Sequence, residues 1–293
     1  MSTFSERDFD AERYDRSRPC YPNEYYAVLN EYHQGVRHCV VDVGCGPGTA
    51  TFQMAALLNG FEQFVGTDIS QTMIERARAA SGRDERVSFQ VSSAYDFSFL
   101  GDAKANRQTL DMVTAVECVH WLDFATFQSS VAANLRTGGT FAIWGYADAA
   151  FIDYPELDAV LDDVSYANDQ LGPFWQQPGR NALRGMLENW VFDTRYFTDE
   201  QSAKVRVADL RTPQGLHAQQ RALIISKEMT VSDYANYVKT FSAYHTWKTK
   251  HGDSEQDIAD RLVETICRVQ PELTPDSKVK VAWNTFYKLA RRI

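Results

Sequence analysis

The chain has 293 residues, 44% of them hydrophobic and 24% charged, with a formal net charge of −9. That composition suits a globular protein with a sizeable core. The acidic excess argues against a broad footprint for nucleic acid or an anionic membrane surface, and favours work on small molecules.

Five cysteines (Cys20, Cys39, Cys45, Cys118, Cys267) are odd in number and follow neither a CxxC nor a Cys/His spacing, so neither a disulfide framework nor a metal site is suggested. The polar, acidic start "MSTFSERDFDAERYDRS" has no apolar signal core, and no later run is apolar enough to span a membrane. A cytoplasmic protein with reduced thiols, no membrane association and a monomeric state is the default expectation.

"CVVDVG" is a β-branched run closed by glycine, and "TATFQMAALLNG" carries apolar residues at helical spacing up to Gly60. "QFVGTDIS" predicts a second strand, "SQTMIERARAA" a helix with Ser70 as N-cap, "RVSFQVSS" a third strand and "LDMVTAVEC" a fourth. "FATFQSSVAANLRTGG" predicts a helix, and "TFAIWGYA" a fifth strand. Strands alternating with helices at this spacing make an α/β, doubly wound, mainly parallel sheet.

From about Ala147 the rhythm breaks. "FIDYPELDAVLDDV" and "LGPFWQQPGRNALRGMLENW" read as aromatic-rich helices and loops, "AKVRVADL" and "QQRALIISKEMT" as strands, "TVSDYANYVKTFSAYHTW" and "DSEQDIADRLVETICRVQPEL" as helices, and "KVKVAWNTFYKLARRI" as a terminal strand. No polar linker marks a second domain. One domain over 1–293 is expected, with an N-terminal flap at 1–35, a core at 36–147, a helical lid and late strands at 148–277, and a terminal strand at 278–293. The lid would cover the carboxyl ends of the strands, where doubly wound sheets bind ligands.

The turn Gly44-Cys45-Gly46-Pro47-Gly48 departs from a dinucleotide fingerprint, its third glycine falling one place early, and it lacks the lysine of a phosphate loop. Asp42, two residues before the first glycine, would repel a pyrophosphate and attract an ammonium. Asp68, ending the second strand, can accept from both hydroxyls of an unphosphorylated ribose. An adenosine carrying a free amino-acid tail satisfies both acids, and that describes S-adenosylmethionine.

At these positions "VVDVGCGPG", "GTDIS" and "MVTAVECVHWLD" resemble the successive cofactor motifs of class I S-adenosylmethionine-dependent methyltransferases. Adding "ERYDRSRPCYP", "ECVHWLDF", "FAIWGYAD", "GPFWQQPGR", "FSAYHTWK" and "VAWNTFYKL", the resemblance runs along almost the whole chain and is to the fungal trans-aconitate methyltransferases. The related cantharidin-type enzymes share only part of this set. The resemblance implies a seven-stranded Rossmann-like sheet, S-adenosylmethionine as cofactor, and carboxyl O-methylation of a small anionic acid.

For the cofactor, Gly44, Gly46 and Gly48 would let the backbone approach, and Asp42 and Asp68 would take the ammonium and the ribose. Asp96 in "SSAYDF" is either the acceptor for the adenine amine or a solvated loop residue, while Glu117 either faces the cofactor or braces its loop. Tyr14 and Arg18 belong to the flap implied by the resemblance, Arg18 being either a bidentate match to the carboxylate of the cofactor or the substrate, or part of a surface salt bridge.

His120 and Trp121 follow the fourth strand, where the acceptor should meet the methyl group. His120 is assigned positioning rather than base catalysis, because a carboxylate acceptor is already ionised at neutral pH. Trp144 and Tyr146, alternating on the fifth strand, face one side as either pocket or core. Arg180 and Arg184, four apart, form a carboxylate clamp or a solvated basic face. Tyr244 sits in an aromatic cluster that lines the same pocket, and Trp283 belongs to the core. Rival readings are a methyltransferase for another small acid, a non-catalytic cofactor-binding scaffold, and a nucleic-acid methyltransferase, the last disfavoured by charge.

Overall fold

A computed structural model describes residues 18–82, 84–101, 109–212, 215–252 and 255–293. The first described element is helix α1 (Asn23–Tyr32), and strands and helices follow: β1 (Cys39–Val43), α2 (Thr49–Leu57), β2 (Gln63–Asp68), α3 (Gln71–Ala80), β3 (Val87–Val91), β4 (Leu110–Val116), α4 (Phe124–Asn134) and β5 (Leu135–Phe151). Strands β1 to β5 pair in parallel in the order β3-β2-β1-β4-β5. The chain winds outward from β1 in one direction and then resumes on its other side at β4. This leaves a crevice at the carboxyl ends of β1 and β4, where such sheets bind ligands.

The central strands are buried on both faces, as parallel strands covered by helices must be. Val40, Phe64 and Met112 join the apolar layer on one face; Val41, Val65 and Val113 join the other. Ser70 caps α3 by accepting from Met73 N at 3.3 Å, and Asp123 caps α4 by accepting from Thr126 N at 2.7 Å.

The second half adds α5 (Asp158–Tyr166), α6 (Gly179–Arg184), β6 (Phe197–Val205), α7 (Val207–Arg211), α8 (Ala218–Arg221), β7 (Ser226–Thr230), α9 (Val231–Val238), α10 (Ser242–His251), α11 (Ile258–Val269) and β8 (Lys278–Arg292). The long β8 is antiparallel to β5, β6 and β7. The sheet therefore has eight strands rather than seven, because the short β7 also pairs with the opening half of β8.

Four segments differ from expectation for local reasons. The opening of "QQRALIISKEMT" is helical, since the Gln220 side chain accepts from His217 N at 3.0 Å and starts α8. "VADL" is helical, since the Asp209 carboxylate returns to Arg206 N at 2.8 Å and starts α7. "TVSDYANYVKTFSAYHTW" is two helices: Thr230 and Asp233 form a reciprocal cap at the start of α9, and the backbone breaks before Ser242. Strand β5 outruns the predicted "TFAIWGYA" at both ends, because Leu135 pairs with Leu110 of β4 at its start and β8 offers it a partner as far as Phe151 at its end.

Between Tyr146 and Ala149, β5 advances three residues while β8 advances from Thr285 back to Trp283, so β5 carries one extra residue. Such a bulge breaks the in-and-out alternation of a strand. Consecutive residues Ala147, Asp148, Ala149 and Ala150 all reach the same cavity wall.

Candidate active site

A cavity of about 990 Å³ opens at the carboxyl ends of β1, β2, β4 and β5 and continues beneath α5, α6 and α9. This is the upper end of the range for a single small-molecule pocket and leaves room for a cofactor beside an acceptor.

The glycine turn forms the cofactor end. Gly44, Gly46 and Gly48 all have positive φ, a backbone state that side chains resist. A Cβ on Gly44 would lie 2.5 Å from Cys118 Cβ, and one on Gly48 2.8 Å from the Phe89 ring, whereas one on Gly46 would meet nothing within 4 Å. The outer two glycines let the turn pack down on its neighbours; the middle one leaves space.

Asp68 accepts from Gly46 N at 3.0 Å and Ser70 N at 2.8 Å, one bond on each oxygen. Each oxygen keeps a second lone pair for a ligand hydroxyl. Burial raises its pKa against these backbone bonds. Asp42 is fully inside, its oxygens accepting from Thr51 Oγ1 at 2.6 Å and Thr114 Oγ1 at 2.8 Å, and burial pushes its pKa up to about 6. Both acids line the cavity, and no lysine or arginine stands in the turn. These two acceptors suit a ribose and an ammonium and are unsuited to a phosphate.

Glu117 follows β4 with φ +53°. Its Oε1 accepts from Tyr146 N at 2.9 Å, which braces the end of β4 against β5, and burial pushes its pKa up to about 7. The carboxylate lines the cavity while doing so. His120 lies in a one-turn 3-10 helix (Val119–Trp121) at the wall. Burial, reinforced by Arg180 and Arg18, lowers its pKa to about 3, so the imidazole is neutral at physiological pH. Its ring lies 5.0 Å from that of Trp121, also a wall residue.

The Arg18 guanidinium donates to Tyr146 Oη at 3.3 Å and to the Thr240 carbonyl at 3.2 Å, lying 5.4 Å from the Tyr237 ring centroid and 5.7 Å from that of Phe241. Arg180 and Arg184 meet at Asp148. Arg180 Nη2 donates to Asp148 Oδ1 and, at 2.6 Å, to Tyr166 Oη, and its guanidinium is 4.1 Å from the Trp175 ring. Arg184 Nε is 3.7 Å from Asp148 Oδ2, its Nη2 donates to Asp162, and it stacks 3.8 Å from Tyr166. The Arg180 Nε–H is buried and has no acceptor among the described residues.

Three expected site residues stand elsewhere. Asp96 is exposed and outside the cavity wall, its carboxylate taking Ser98 N at 2.8 Å, a bond that holds its pKa below the usual range; Tyr95 reaches the wall in its stead. Trp144 is core, packed 4.9 Å from Tyr25 and 6.0 Å from Tyr21, because α1 covers that face of β5. Tyr244 donates to Asp257 at 2.5 Å, at the start of α11, and is not part of the wall. Tyr14 lies outside the described residues. Trp283 is buried and donates to Tyr237 Oη at 2.9 Å.

Sequence reasoning passed over Asp148, Tyr166, Trp175, Tyr237 and Phe241, all in the wall. Asp148 had a signal, lying two residues beyond Tyr146 on the same strand. The aromatic residues come from separate lid helices and turns and carry no local signature.

Residues 40–139 match the family model of the methyltransferase domain. That segment carries the glycine turn and its two acids, and S-adenosylmethionine is the cofactor that goes with them. Over its length the chain is similar to the "Probable S-adenosylmethionine-dependent methyltransferase CRG1" of Saccharomyces cerevisiae, 26% identical across 99% of this chain and 98% of that one. It is also similar to a methyltransferase of Dictyostelium discoideum, 22% identical over 92% of this chain and 88% of its relative. The fold is shared with a methyltransferase structure from Anaeromyxobacter dehalogenans, with a TM-score of 0.68 and 22% identity, covering 94% of this chain and 97% of that one. Among the described residues no helix is long and apolar enough to cross a membrane.

Proposed function

We propose that the protein is a cytoplasmic, monomeric carboxyl O-methyltransferase that forms a monomethyl ester of trans-aconitate or a closely similar small polycarboxylic acid. The observation that carries this reading is the Arg180 Nε–H, buried in the wall with no acceptor among the described residues. A buried unsatisfied donor costs about 1–3 kcal/mol, and a carboxylate oxygen would relieve it through a charge-assisted bond.

The state of His120 supports the same class of acceptor. A base with a pKa near 3 is a poor proton acceptor at neutral pH, so a phenol or alcohol would find little help from it. A carboxylate needs none. Among the described residues the cavity wall offers five arginines, Arg18, Arg180, Arg184, Arg206 and Arg211, against four acids on the acceptor side, Glu117, Asp148, Asp158 and Asp162. Burial of Glu117 widens that margin by favouring its neutral form.

In this reading Gly44, Gly46 and Gly48 admit the cofactor to the backbone, Asp68 accepts from its ribose and Asp42 faces its ammonium end from beneath. S-adenosylmethionine, when bound, supplies a methyl group activated by its sulfonium. Arg18 and Arg180 hold the acid, with Arg184 supporting Arg180. His120 and Trp121 fix its approach, and the rings of Tyr146, Trp175, Tyr237 and Phe241 exclude water from it. Orientation and exclusion of water carry the rate, because no proton has to move.

The test is methyl transfer from labelled S-adenosylmethionine to a panel of small mono-, di- and tricarboxylic acids, with phenols as a comparison set. Ester formation on trans-aconitate is expected. Transfer to phenols alone, or cofactor binding without transfer to any acceptor, would overturn the reading.

A further inference from the structure

The arginine pair of the cavity wall already holds a carboxylate, that of Asp148. Its Oδ1 accepts from Arg180 Nη2 and from Tyr166 Oη at 2.5 Å, and its Oδ2 lies 3.7 Å from Arg184 Nε. Asp68, Asp96 and Asp123 each accept from a backbone N–H and so hold the chain's path. The hydrogen bonds of Asp148 are confined to side chains of the cavity wall. It stands in the bulged stretch of β5, which turns consecutive residues toward the cavity.

We propose that Asp148 is a specificity-determining residue, an internal counter-ion with which an anionic acceptor must share Arg180. The inference rests on the carboxylate-acceptor reading above. With Asp162 on the outer side of Arg184, the two arginines and two aspartates balance to zero charge. A single incoming carboxylate gains the open Nε–H of Arg180 but is repelled by Asp148 beside it. An acid with further carboxylates also gains from Arg18, in the same cavity wall. The site thereby discriminates against monocarboxylates, the repulsive element doing the selecting.

The experiment compares KM and kcat of the wild-type protein and Asp148→Asn for trans-aconitate and for a monocarboxylic acid. The amide oxygen still accepts from Arg180 and Tyr166 in the place of Oδ1, while the amide nitrogen takes the place of Oδ2 near Arg184, so the variant removes the competing charge together with the weaker Arg184 contact. KM for trans-aconitate is expected to fall by about tenfold with kcat within about twofold, and kcat/KM for the monocarboxylate to rise by at least as much. Asp148→Ser, with acid binding followed by calorimetry, provides a second variant should the first fold poorly, and is expected to bind the acid more tightly. A KM that rises, as it would if Asp148 merely oriented Arg180, or one that stays constant, overturns the inference. Wild-type protein that methylates no acid at all overturns the carboxylate reading itself, and this inference with it.

Discussion

Gly179 sits so close to His120 that a Cβ added to it would lie 2.3 Å from the His120 carbonyl oxygen. This contact seats the first residue of α6 directly on the turn after β4, and so places Arg180 beside His120. Gly179→Ala should cost about 1–3 kcal/mol of stability through overpacking and raise KM for the acceptor more than for the cofactor. Urea denaturation alongside steady-state kinetics checks both; unchanged kinetics would mean that the lid tolerates the shift.

Asp68 should govern cofactor affinity. Asp68→Ala removes the acceptor for a ribose and also releases Gly46 N and Ser70 N. Bonds to charged groups are worth about 1.5–3 kcal/mol, so calorimetry should find S-adenosylmethionine bound about 10- to 100-fold more weakly. Affinity retained within twofold would remove Asp68 from the cofactor site.

Glu117 makes stability depend on pH in a definite direction. Its folded pKa, near 7, exceeds its ordinary value of 4.5, so between these values the folded state binds more protons than the unfolded one. The group's contribution is therefore most favourable below about pH 4.5 and is lost as pH rises through 7. Glu117→Gln should gain stability relative to wild type between about pH 5 and 8, by no more than about 3 kcal/mol. Denaturation midpoints at several pH values would show the gap opening; a constant gap would contradict it.

His120 should leave no mark on the pH profile of methyl transfer. With its pKa near 3, His120→Asn is expected to lower the rate by about tenfold or less while leaving the profile between about pH 5 and 9 unchanged in shape. Loss of an acidic limb in the variant would instead identify the imidazole as a base.

The cofactor half was far more legible in the sequence than the acceptor half, and the reason is locality. Val40, Val41 and Val43 must be apolar because β1 is buried on both sides, and Asp42 stands out against them. Asp68 ends its strand at the spacing a ribose requires. The acceptor wall, by contrast, is assembled from Arg18, Tyr146, Trp175, Tyr237 and Phe241, whose nearness arises only when α5, α6, α9 and β5 pack together. Residue types that are good core material and good pocket lining cannot be separated by pattern alone, which is why Trp144 and Tyr146, two apart on one strand, took different fates. Asp96 went astray by a single position, since the loop turns Tyr95 inward.

The extra residue in β5 works as a phase shift. Residues before it keep the inward and outward rhythm set by β4 and the cofactor crevice; those after it follow a rhythm reset against Trp283 and the opening half of β8. Side chains beyond the bulge can thus be exchanged to suit a new acceptor while the earlier part of the strand keeps its facing. One strand serves two masters because it carries two registers.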